Sequence, residues 1–460
     1  MTDRPMLDRS PHLQGAYAPV TEEVTAFDLP VTGTLPPELD GRYLRNGPNP
    51  LGLDDPGHWF LGAGMVHGLR LRDGRAEWYR NRWVRSREVA GALGETWPAG
   101  PVHAGMDFAA NTHVVAHAGR TLATVEAGPL PYELTAELET VGPCDFGGTL
   151  PGGYAAHTKP DRLTGDLHAV AYYWGWDHVQ HVVIGPDGTV TGTTDVPVED
   201  GPMMHDFALT ERYVVLFDLP VTFSMDAAAA GSQLPYAWNR AHPARVGLLP
   251  RAGAVRDARW FDVDPCWVFH TLNAHDDGDR VVVDLCRYDG PYDMTVLTEQ
   301  GALTLERWTI DPAAGRVTRQ ELDGRPQEFP RVDERVVSRT HRYGYSVVTA
   351  ELDRATVRMD GSFRDDAFAG ALLKHDLSAG TVETHHFPRD AVVGEGVFAP
   401  SAPDAAEDDG YVMAFVHDPD RGAADLVVLA AQDFAGPPVA VVHLPARIPL
   451  GFHGSWIADE

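Results

Sequence analysis

Four histidines of this sequence stand in short peptides that could bring imidazole rings together. The peptides are "AAHTKPD" with His157, "GPMMHDFAL" with His205, "WVFHTLNAHDD" with His270 and "LGFHGSWI" with His453. Each histidine follows small or apolar residues and precedes polar ones, a pattern that indicates an imidazole aimed inward at the end of a strand. Because neutral imidazole is the commonest metal ligand in proteins, a shared metal site is one interpretation of these peptides.

The spacing of the four histidines determines what kind of site they could form. They are separated by 48, 65 and 183 residues, which excludes a local motif with two ligands on one short segment. Long spacing suits a radial architecture, in which strands from different sheets each deliver one side chain to a common axis. A single buried histidine is more often a hydrogen-bonded core residue than a ligand. From the residues alone, both interpretations stay open.

Composition narrows the class of protein. The 460 residues carry a formal net charge of −29, which argues against nucleic acid as a partner, because affinity for phosphate backbones comes mostly from Lys and Arg. The three cysteines are odd in number and form no C-x-x-C pair, so neither a disulfide framework nor a thiolate metal site is indicated; they are Cys144, Cys266 and Cys286. This cysteine usage is typical of the reducing cytoplasm.

No segment of the sequence predicts a membrane span. The first residues, "MTDRPMLDRSPHLQG", lack the apolar core of a signal peptide, and "LVVLAA" at 426–431 is among the longest aliphatic runs. A span needs about 20 apolar residues, so we expect no integral membrane protein. Contact with a membrane surface is compatible with this sequence.

The rest of the chain repeats a strand, turn, strand rhythm. Short alternating or β-branched runs are joined by Asp-Gly type turns, as in "LRLRDGRAEWYR" at 69–80 and "HVVIGPDGTVTGT" at 181–193. The rhythm continues from about residue 40 to the end without a linker, which favours one large all-β domain, a propeller or a large sandwich. The segments 86–101 and 223–242 are richer in Ala, Leu and Met and predict short helices laid over the strands.

Several longer motifs, taken with the histidine peptides, resemble the carotenoid cleavage oxygenase family, also called the retinal pigment epithelium membrane protein family. They cover nearly the whole chain and are "GRYLRNGPNP" (41–50), "GAGMVHGLRL" (62–71), "ANTHVVAHAGRTLATVEAG" (110–128), "EFPRVDER" (328–335), "GEGVFAP" (394–400) and "EDDGY" (407–411). The resemblance implies a seven-bladed β-propeller capped by loops and short helices, with residues 1–35 as an extension packed on it and with 86–101 and 223–242 as inserts of the cap at the mouth of the substrate tunnel. It also implies Fe(2+) on the propeller axis, held by the four histidines, with the final strand closing the ring.

The resemblance assigns roles to further residues. It places outer carboxylates at Glu126, Glu328 and Glu395, which in the family orient the second, third and fourth histidines. Such carboxylates fix the tautomer of the imidazole and balance the charge of the ion. Thr112 matches a family threonine whose methyl group limits access to an open iron position. The candidate residues of the substrate tunnel are Trp83, Val125, Met203, Met204, Phe269 and Phe452. Ordinary core packing is the alternative role for these side chains.

The reaction that the resemblance implies is addition of both atoms of O₂ across a carbon–carbon double bond, which gives two carbonyl products. Relatives that cleave stilbenes typically hold the phenol with a Lys and a Tyr, but this sequence has Val125 and Trp83 at those places. Unpaired polar groups are costly to bury, so we expect a carotenoid or apocarotenoid as the substrate. No obligate protein partner is expected. Alternatives are a stilbene-cleaving dioxygenase, an isomerohydrolase and a non-catalytic propeller that only binds.

Overall fold

The computed structural model describes residues 11–52, 55–108, 110–252, 257–292, 302–349, 368–387, 391–418 and 420–459. Within these residues the chain forms strands joined by turns, two short α-helices and five 3-10 turns. The prediction of an all-β protein is therefore confirmed. Residues 1–10 of the proposed N-terminal extension lie outside the described residues.

The strands are numbered in chain order. Those of the first half are β1 (Thr25–Phe27), β2 (Val31–Gly33), β3 (Gly41–Pro48), β4 (Gly64–Arg72), β5 (Arg75–Trp83), β6 (His113–His117), β7 (Arg120–Thr124), β8 (Tyr132–Leu134), β9 (Thr140–Pro143), β10 (Thr158–Pro160), β11 (Leu167–Ala171), β12 (His178–Ile184), β13 (Val190–Pro197), β14 (Ala208–Leu209), β15 (Tyr213–Asp218), β16 (Val221–Phe223) and β17 (Tyr236–Trp238). Those of the second half are β18 (Arg245–Pro250), β19 (Arg259–Asp262), β20 (Cys266–Trp267), β21 (Thr271–Asp277), β22 (Arg280–Asp289), β23 (Leu303–Asp311), β24 (Arg316–Asp323), β25 (Gln327–Arg331), β26 (Tyr343–Thr349), β27 (Phe368–Asp376), β28 (Thr381–His386), β29 (Val392–Val393), β30 (Val397–Pro400), β31 (Gly410–Asp418), β32 (Ala423–Ala430), β33 (Ala440–His443) and β34 (Gly454–Ala458).

Seven antiparallel sheets form the blades of a β-propeller. Blade 1 has the order β1-β5-β4-β3-β34, blade 2 is β6 to β9, blade 3 is β10 to β13 and blade 4 is β14-β15-β18-β19. Blade 5 is β20-β22-β23-β24 with β21 also on β22, blade 6 is β25 to β28, and blade 7 is β2-β33-β32-β31-β29 with β30 also on β31. The predicted seven-bladed propeller is confirmed.

Two strand pairings close the ring. In blade 1, β34 pairs with β3, so that Gly454 lies opposite Arg45. In blade 7, β2 pairs with β33, so that Val31 lies opposite Val442. Residues from the two ends of the described chain therefore share both blades, and this pairing fixes the last histidine peptide against the first sheet.

Local sequence explains the blade hairpins. The turn between β4 and β5 is Asp73-Gly74, with φ of 50° and 69°, the left-handed conformation that two-residue hairpin turns require and that Asp-Gly tolerates. Inner strands such as β4 are buried almost throughout, whereas the outer strand β24 is mostly exposed. Each blade thus packs its faces against its neighbours and leaves its outer edge to solvent.

Helices and loops cover one end of the ring. Helix α1 (Arg87–Leu93) begins at Ser86, whose hydroxyl accepts a hydrogen bond from the backbone N–H of Val89, a common N-cap. Helix α2 (Met225–Ala229) is flanked by the two-stranded sheet of β16 and β17. The five 3-10 turns are Pro11–Leu13, Gly15–Tyr17, Trp59–Leu61, Glu334–Val336 and Ala431–Asp433.

Candidate metal centre

The innermost strand of every blade begins beside the propeller axis. In all seven blades, a candidate site residue stands at the first position of this strand or within three positions of it. In blade order these residues are His453 before β34, Thr112 before β6, His157 before β10, His205 before β14, His270 before β21, Glu328 in β25 and Glu395 before β30. The long spacings in the sequence therefore arise because each blade supplies one side chain.

The four histidines converge on one point. One ring nitrogen from each of His157, His205, His270 and His453 lies within 4.8 Å of all the others. The Nε2 atom of His205 is 3.0 Å from Nε2 of His157 and 3.2 Å from Nε2 of His270. These nitrogens form a compact group that could hold a metal ion.

Three of the four imidazoles are held from behind by carboxylates. The Nδ1 of His205 lies 2.7 Å from Glu126 Oε2, that of His270 lies 2.6 Å from Glu328 Oε2, and that of His453 lies 2.9 Å from Glu395 Oε1. An Nδ1–H that donates to a carboxylate leaves the Nε2 lone pair free for a metal.

Unusual backbone positions aim two of these glutamates. Phe329, directly after Glu328, has a φ of 52°, and Ala127, directly after Glu126, has a φ of 64°. Left-handed backbone is uncommon for residues with a Cβ, and it clusters at functional sites. The pairing of β25 with β26 also shifts register between Glu328 and Arg331. Such a bulge re-aims a side chain, and here Glu328 points toward His270.

Glycine is required beside the last histidine. A Cβ on Gly451 would lie 1.2 Å from the guanidinium of Arg45, a buried side chain that donates a hydrogen bond to the carbonyl of Pro449 at 2.6 Å. The glycine in "LGFHGSWI" therefore lets the backbone pass close to Arg45 and brings His453 to the axis.

Electrostatics prepare the imidazoles for a cation. Burial, with the neighbouring imidazoles, lowers the pKa of His157 and of His453 well below its ordinary value, so both rings are neutral. Burial also acts to lower the pKa of His205, but contact with Glu126 outweighs it and raises that pKa. Burial alone would raise the pKa of Glu126, but His205 and the Tyr172 hydroxyl hold it below its usual value. A metal bound at Nε2 of His205 would compete only with a proton on Nε2, and the Nδ1–H that donates to Glu126 would stay in place.

A cavity of about 510 Å³ opens over the histidines on the side of the cap, within the usual size range of small-molecule sites. Val125, Phe269 and Phe452, which the sequence assigned to the tunnel, line it together with Thr112. The segment 223–242 contributes Phe223, Met225, Ala228 and the residues 232–236. The wall is mostly apolar and aromatic, so it would receive an apolar molecule.

Three residues assigned to the tunnel lie elsewhere. Trp83 packs with Met65 and Val89 in a separate apolar cluster, and its indole N–H donates to the carbonyl of Asn49 at 2.9 Å. Met203 and Met204 are buried in the main apolar core. None of the three is among the described residues that line the cavity, because their side chains pack into apolar clusters. Residues 86–101, which include α1, do not line it either.

Sequence reasoning also missed polar residues around the centre. Tyr172 donates from its hydroxyl to Glu126, Arg331 donates to Glu395 Oε2 at 3.0 Å, and Asp206 lies 3.0 Å from Lys159. Asp206, Lys159 and Arg331 stand inside the matched motifs, one to three residues from a histidine or glutamate, and that adjacency was a usable signal. Tyr172 had no such signal.

The residues present fit a metal ion. Four imidazole nitrogens converge, and three of the rings are already oriented by buried or partly buried carboxylates. Imidazole donors suit Fe, Zn, Cu and Ni rather than the oxygen-preferring Mg or Ca. The arrangement thus defines a β-propeller with a four-histidine group on its axis that could hold a transition-metal ion, beside an apolar cavity.

Comparison with known proteins places this propeller in a family. The model of the family described as "Retinal pigment epithelial membrane protein" matches residues 17–458. A relative named carotenoid cleavage oxygenase, from Mycobacterium tuberculosis, is 45% identical, with 97% of each chain covered. The chain therefore belongs to the carotenoid cleavage oxygenase family, whose four-histidine group implies a bound metal.

Solved structures agree with this placement. The lignostilbene dioxygenase of Pseudomonas brassicacearum superposes with a TM-score of 0.87 at 30% identity, covering 98% of this chain and 99% of that one. Cobalt-substituted Synechocystis ACO superposes with a TM-score of 0.83 at 26% identity, over 98% and 99%. The expected family, fold and class of enzyme, a dioxygenase that cleaves double bonds oxidatively, are confirmed. Within the described residues, none of the helices is long and apolar enough to cross a bilayer.

Proposed function

We propose that this protein is a non-haem Fe(2+) dioxygenase that cleaves a carbon–carbon double bond of a carotenoid or apocarotenoid. The observation that carries the proposal is the convergence of four histidines, of which His205, His270 and His453 line an apolar cavity and His157 completes the group. Four neutral ligands leave the charge of a dication uncompensated, and Glu126, Glu328 and Glu395 supply the compensating charge from behind the imidazoles.

The surrounding residues prepare the reaction. Iron, when bound, activates O₂, and both oxygen atoms end in the two carbonyl products. The aromatic wall, which includes Phe269 and Phe452, excludes water and holds the alkene in line. Thr112 borders the cavity, and its backbone carbonyl accepts a hydrogen bond from the His453 N–H at 3.1 Å. Its hydroxyl donates to Asn111 Oδ1 at 3.2 Å, and the role proposed for its methyl group is to limit access to the centre.

The substrate class is supported by the cavity wall and by the relatives. Val125 brings an apolar side chain beside Glu126 where stilbene-cleaving relatives typically have a lysine, and the relative with 45% identity is named a carotenoid cleavage oxygenase. A stilbene is the second candidate, because several tyrosines also line the cavity and a lignostilbene dioxygenase matches at 30% identity. The lining tyrosines are Tyr17, Tyr172, Tyr236, Tyr288 and Tyr292.

The proposal is tested by loading the protein anaerobically with Fe(2+). The loaded protein is exposed to O₂ and to an apocarotenal, and oxygen uptake and the masses of the products are measured. We expect one O₂ consumed for each pair of carbonyl products. Binding of the apocarotenal without oxygen uptake or carbonyl products would instead support a propeller that only binds.

The outer carboxylates give a prediction with a matched control. Glu126→Gln, Glu328→Gln and Glu395→Gln should each weaken metal affinity or activity by about 10- to 100-fold, the usual cost of losing such a partner. Glu306→Gln is the control, because Glu306 is a buried glutamate paired with Arg319 and away from the histidines. Metal affinity is measured by competition with a chelator. Wild-type affinity and activity in all three variants would contradict the assignment.

The cavity mouth supports contact with a membrane surface, where long polyenes reside. Trp174 and Met225 line the cavity and are 49% and 70% exposed, and Phe108 is 38% exposed. Exposed apolar patches beside a cavity often mark membrane or ligand contact. We propose that these side chains touch a bilayer while the substrate enters. Burial of apolar area would drive this binding, because a net charge of −29 is repelled by anionic lipids.

Vesicle binding tests this surface. The double variant Trp174→Glu, Met225→Glu should bind phosphatidylcholine vesicles at least about 10-fold more weakly in a sedimentation assay, since each buried apolar side chain contributes roughly 1.5–3 kcal/mol. Leu163→Glu is the control, because Leu163 is 62% exposed but is not among the residues that line the cavity. Equal loss of binding in the control would show that added negative charge, and not the mouth, is responsible.

A further inference from the structure

A buried carboxylate outside the histidine–glutamate pairs lies beside the metal centre. The side chain of Asp206 is 2% exposed. Its Oδ2 accepts hydrogen bonds from the backbone N–H of Thr271 at 2.9 Å and from the Thr271 hydroxyl at 2.8 Å. The ammonium of Lys159 lies 3.0 Å from Oδ1 and 3.1 Å from Oδ2. Asp206 thus has strong partners on two different blades.

These partners are the immediate neighbours of metal ligands. Asp206 follows His205 in the chain, Thr271 follows His270, and Lys159 stands two residues after His157. The segments begin the inner strands of blades 4, 5 and 3. One carboxylate therefore links three of the four ligand segments, through the backbone and hydroxyl of Thr271 and through the ammonium of Lys159.

The remaining ligand segment has its own tie. Arg331 donates from Nη1 to Glu395 Oε2 and to the carbonyl of Gly454, both at 3.0 Å, and the Gly454 N–H donates to the same Glu395 oxygen at 2.8 Å. Gly454 directly follows His453. Two charge-assisted networks thus surround the axis, one for the last ligand and one, centred on Asp206, for the other three.

His157 depends most on the Asp206 network. In the described part of the chain its ring has no carboxylate contact like those of the other three histidines. Its segment is linked to the neighbouring blade through the ion pair of Lys159 with Asp206. Metal–ligand distances tolerate only about ±0.2 Å, so a segment without an outer carboxylate on its imidazole needs another restraint.

We propose that Asp206 is a positioning residue of the metal centre, whose bonds to Lys159 and Thr271 set the relative positions of His157, His205 and His270. Hydrogen bonds to an ionised group are short and about twice as strong as neutral ones, and inside a protein they rigidify the groups that they join. The inference rests on the proposed metal role of the histidines.

The test reads metal binding without any substrate. Asp206→Asn removes the ion pair with Lys159, and Thr271→Val removes the hydroxyl bond while keeping the shape of the side chain and the backbone N–H. Asp284→Asn is the matched control, because Asp284 is a fully buried carboxylate in blade 5 whose side chain pairs with Arg307 at 2.7 Å and with His341 at 3.2 Å rather than with a neighbour of a metal ligand. Each protein is titrated with Co²⁺, and the d–d absorption of the bound ion and the thermal midpoint of the metal-free protein are recorded.

We expect Asp206→Asn to weaken Co²⁺ affinity by about 10- to 100-fold, as for other outer partners of metal ligands, and to change the d–d bands. Thr271→Val should do the same to a smaller degree. Asp284→Asn should lower the thermal midpoint but keep the wild-type affinity and spectrum. A purely structural role for Asp206 would produce the control pattern.

The result that overturns the proposal is wild-type Co²⁺ affinity and spectrum in both site variants. If Asp206→Asn does not fold, Thr271→Val decides alone, because it leaves no unpaired charge in the interior. Failure of the wild-type protein to bind Co²⁺ would overturn the four-histidine centre itself, whereas failure to cleave apocarotenals would leave the Co²⁺ comparison intact. The two proposals can therefore fail separately.

Discussion

His205→Ala should reduce both bound iron and double-bond cleavage to background. His205 is one of four converging nitrogens, and its loss removes one ligand and leaves Glu126 without its imidazole partner. The carboxylate of Glu126 would then lose a partner in a buried site, which is costly, and would no longer orient a ligand. Metal content of the purified variant, oxygen uptake and carbonyl products are the measurements. Circular dichroism would establish that the propeller remains folded.

A histidine outside the centre provides the comparison. His117 lies on β6, the inner strand of blade 2, and is within hydrogen-bonding distance of the Gly185 carbonyl at 2.8 Å. His117→Ala should keep its metal and its activity, because the ring does not face the axis group. Full activity in His205→Ala would refute the assignment of the centre, and loss of metal in His117→Ala would show that general destabilisation explains the effect.

The all-β fold and the inward position of the histidines could be predicted from the residues because their signals are local, whereas the seven blades and the metal role were implied by the family resemblance. Asp-Gly turns such as Asp73-Gly74 mark the hairpins, and each histidine stands inside a peptide just before an inner strand. Glu328 and Glu395 stand in matched motifs and precede or lie in inner strands as well. A radial fold brings such positions together whatever their separation along the chain, so the position on the strand carries the information.

The cavity wall was predicted less well because it depends on side-chain direction. Met203 and Met204 precede His205, yet they point into the core between blades. Trp83 ends β5 and turns its indole toward Asn49. Tyr172 reaches Glu126 across 46 residues of sequence. A shift of one residue in a strand reverses the face of a side chain, and adjacency to a ligand therefore does not place a residue in the cavity.

These placements change the argument about substrate. Trp83 donates its N–H to the Asn49 carbonyl and is not among the described residues that line the cavity, so it says nothing about how a phenol would be held. Val125 does line the cavity, directly before Glu126. The preference for a polyene over a hydroxystilbene therefore rests on Val125 and on the apolar character of the wall.

The iron-loaded protein should cleave apocarotenals with a kcat/KM roughly 10- to 100-fold above that for hydroxystilbenes, because Val125 offers a phenol no charged partner and burying a poorly paired hydroxyl costs ~1–3 kcal/mol. Val125→Lys should reverse this order by lowering apocarotenal cleavage, since the ammonium would stand among apolar side chains beside the alkene. Val125→Met is the matched control: it has a similar length without the charge and should retain the preference.

Metal content is measured first, so that altered iron binding beside Glu126 is separated from altered substrate binding. Ready cleavage of hydroxystilbenes by the unmodified protein, with apocarotenals untouched, would contradict the argument from Val125 and would place the phenol against a cavity tyrosine such as Tyr236.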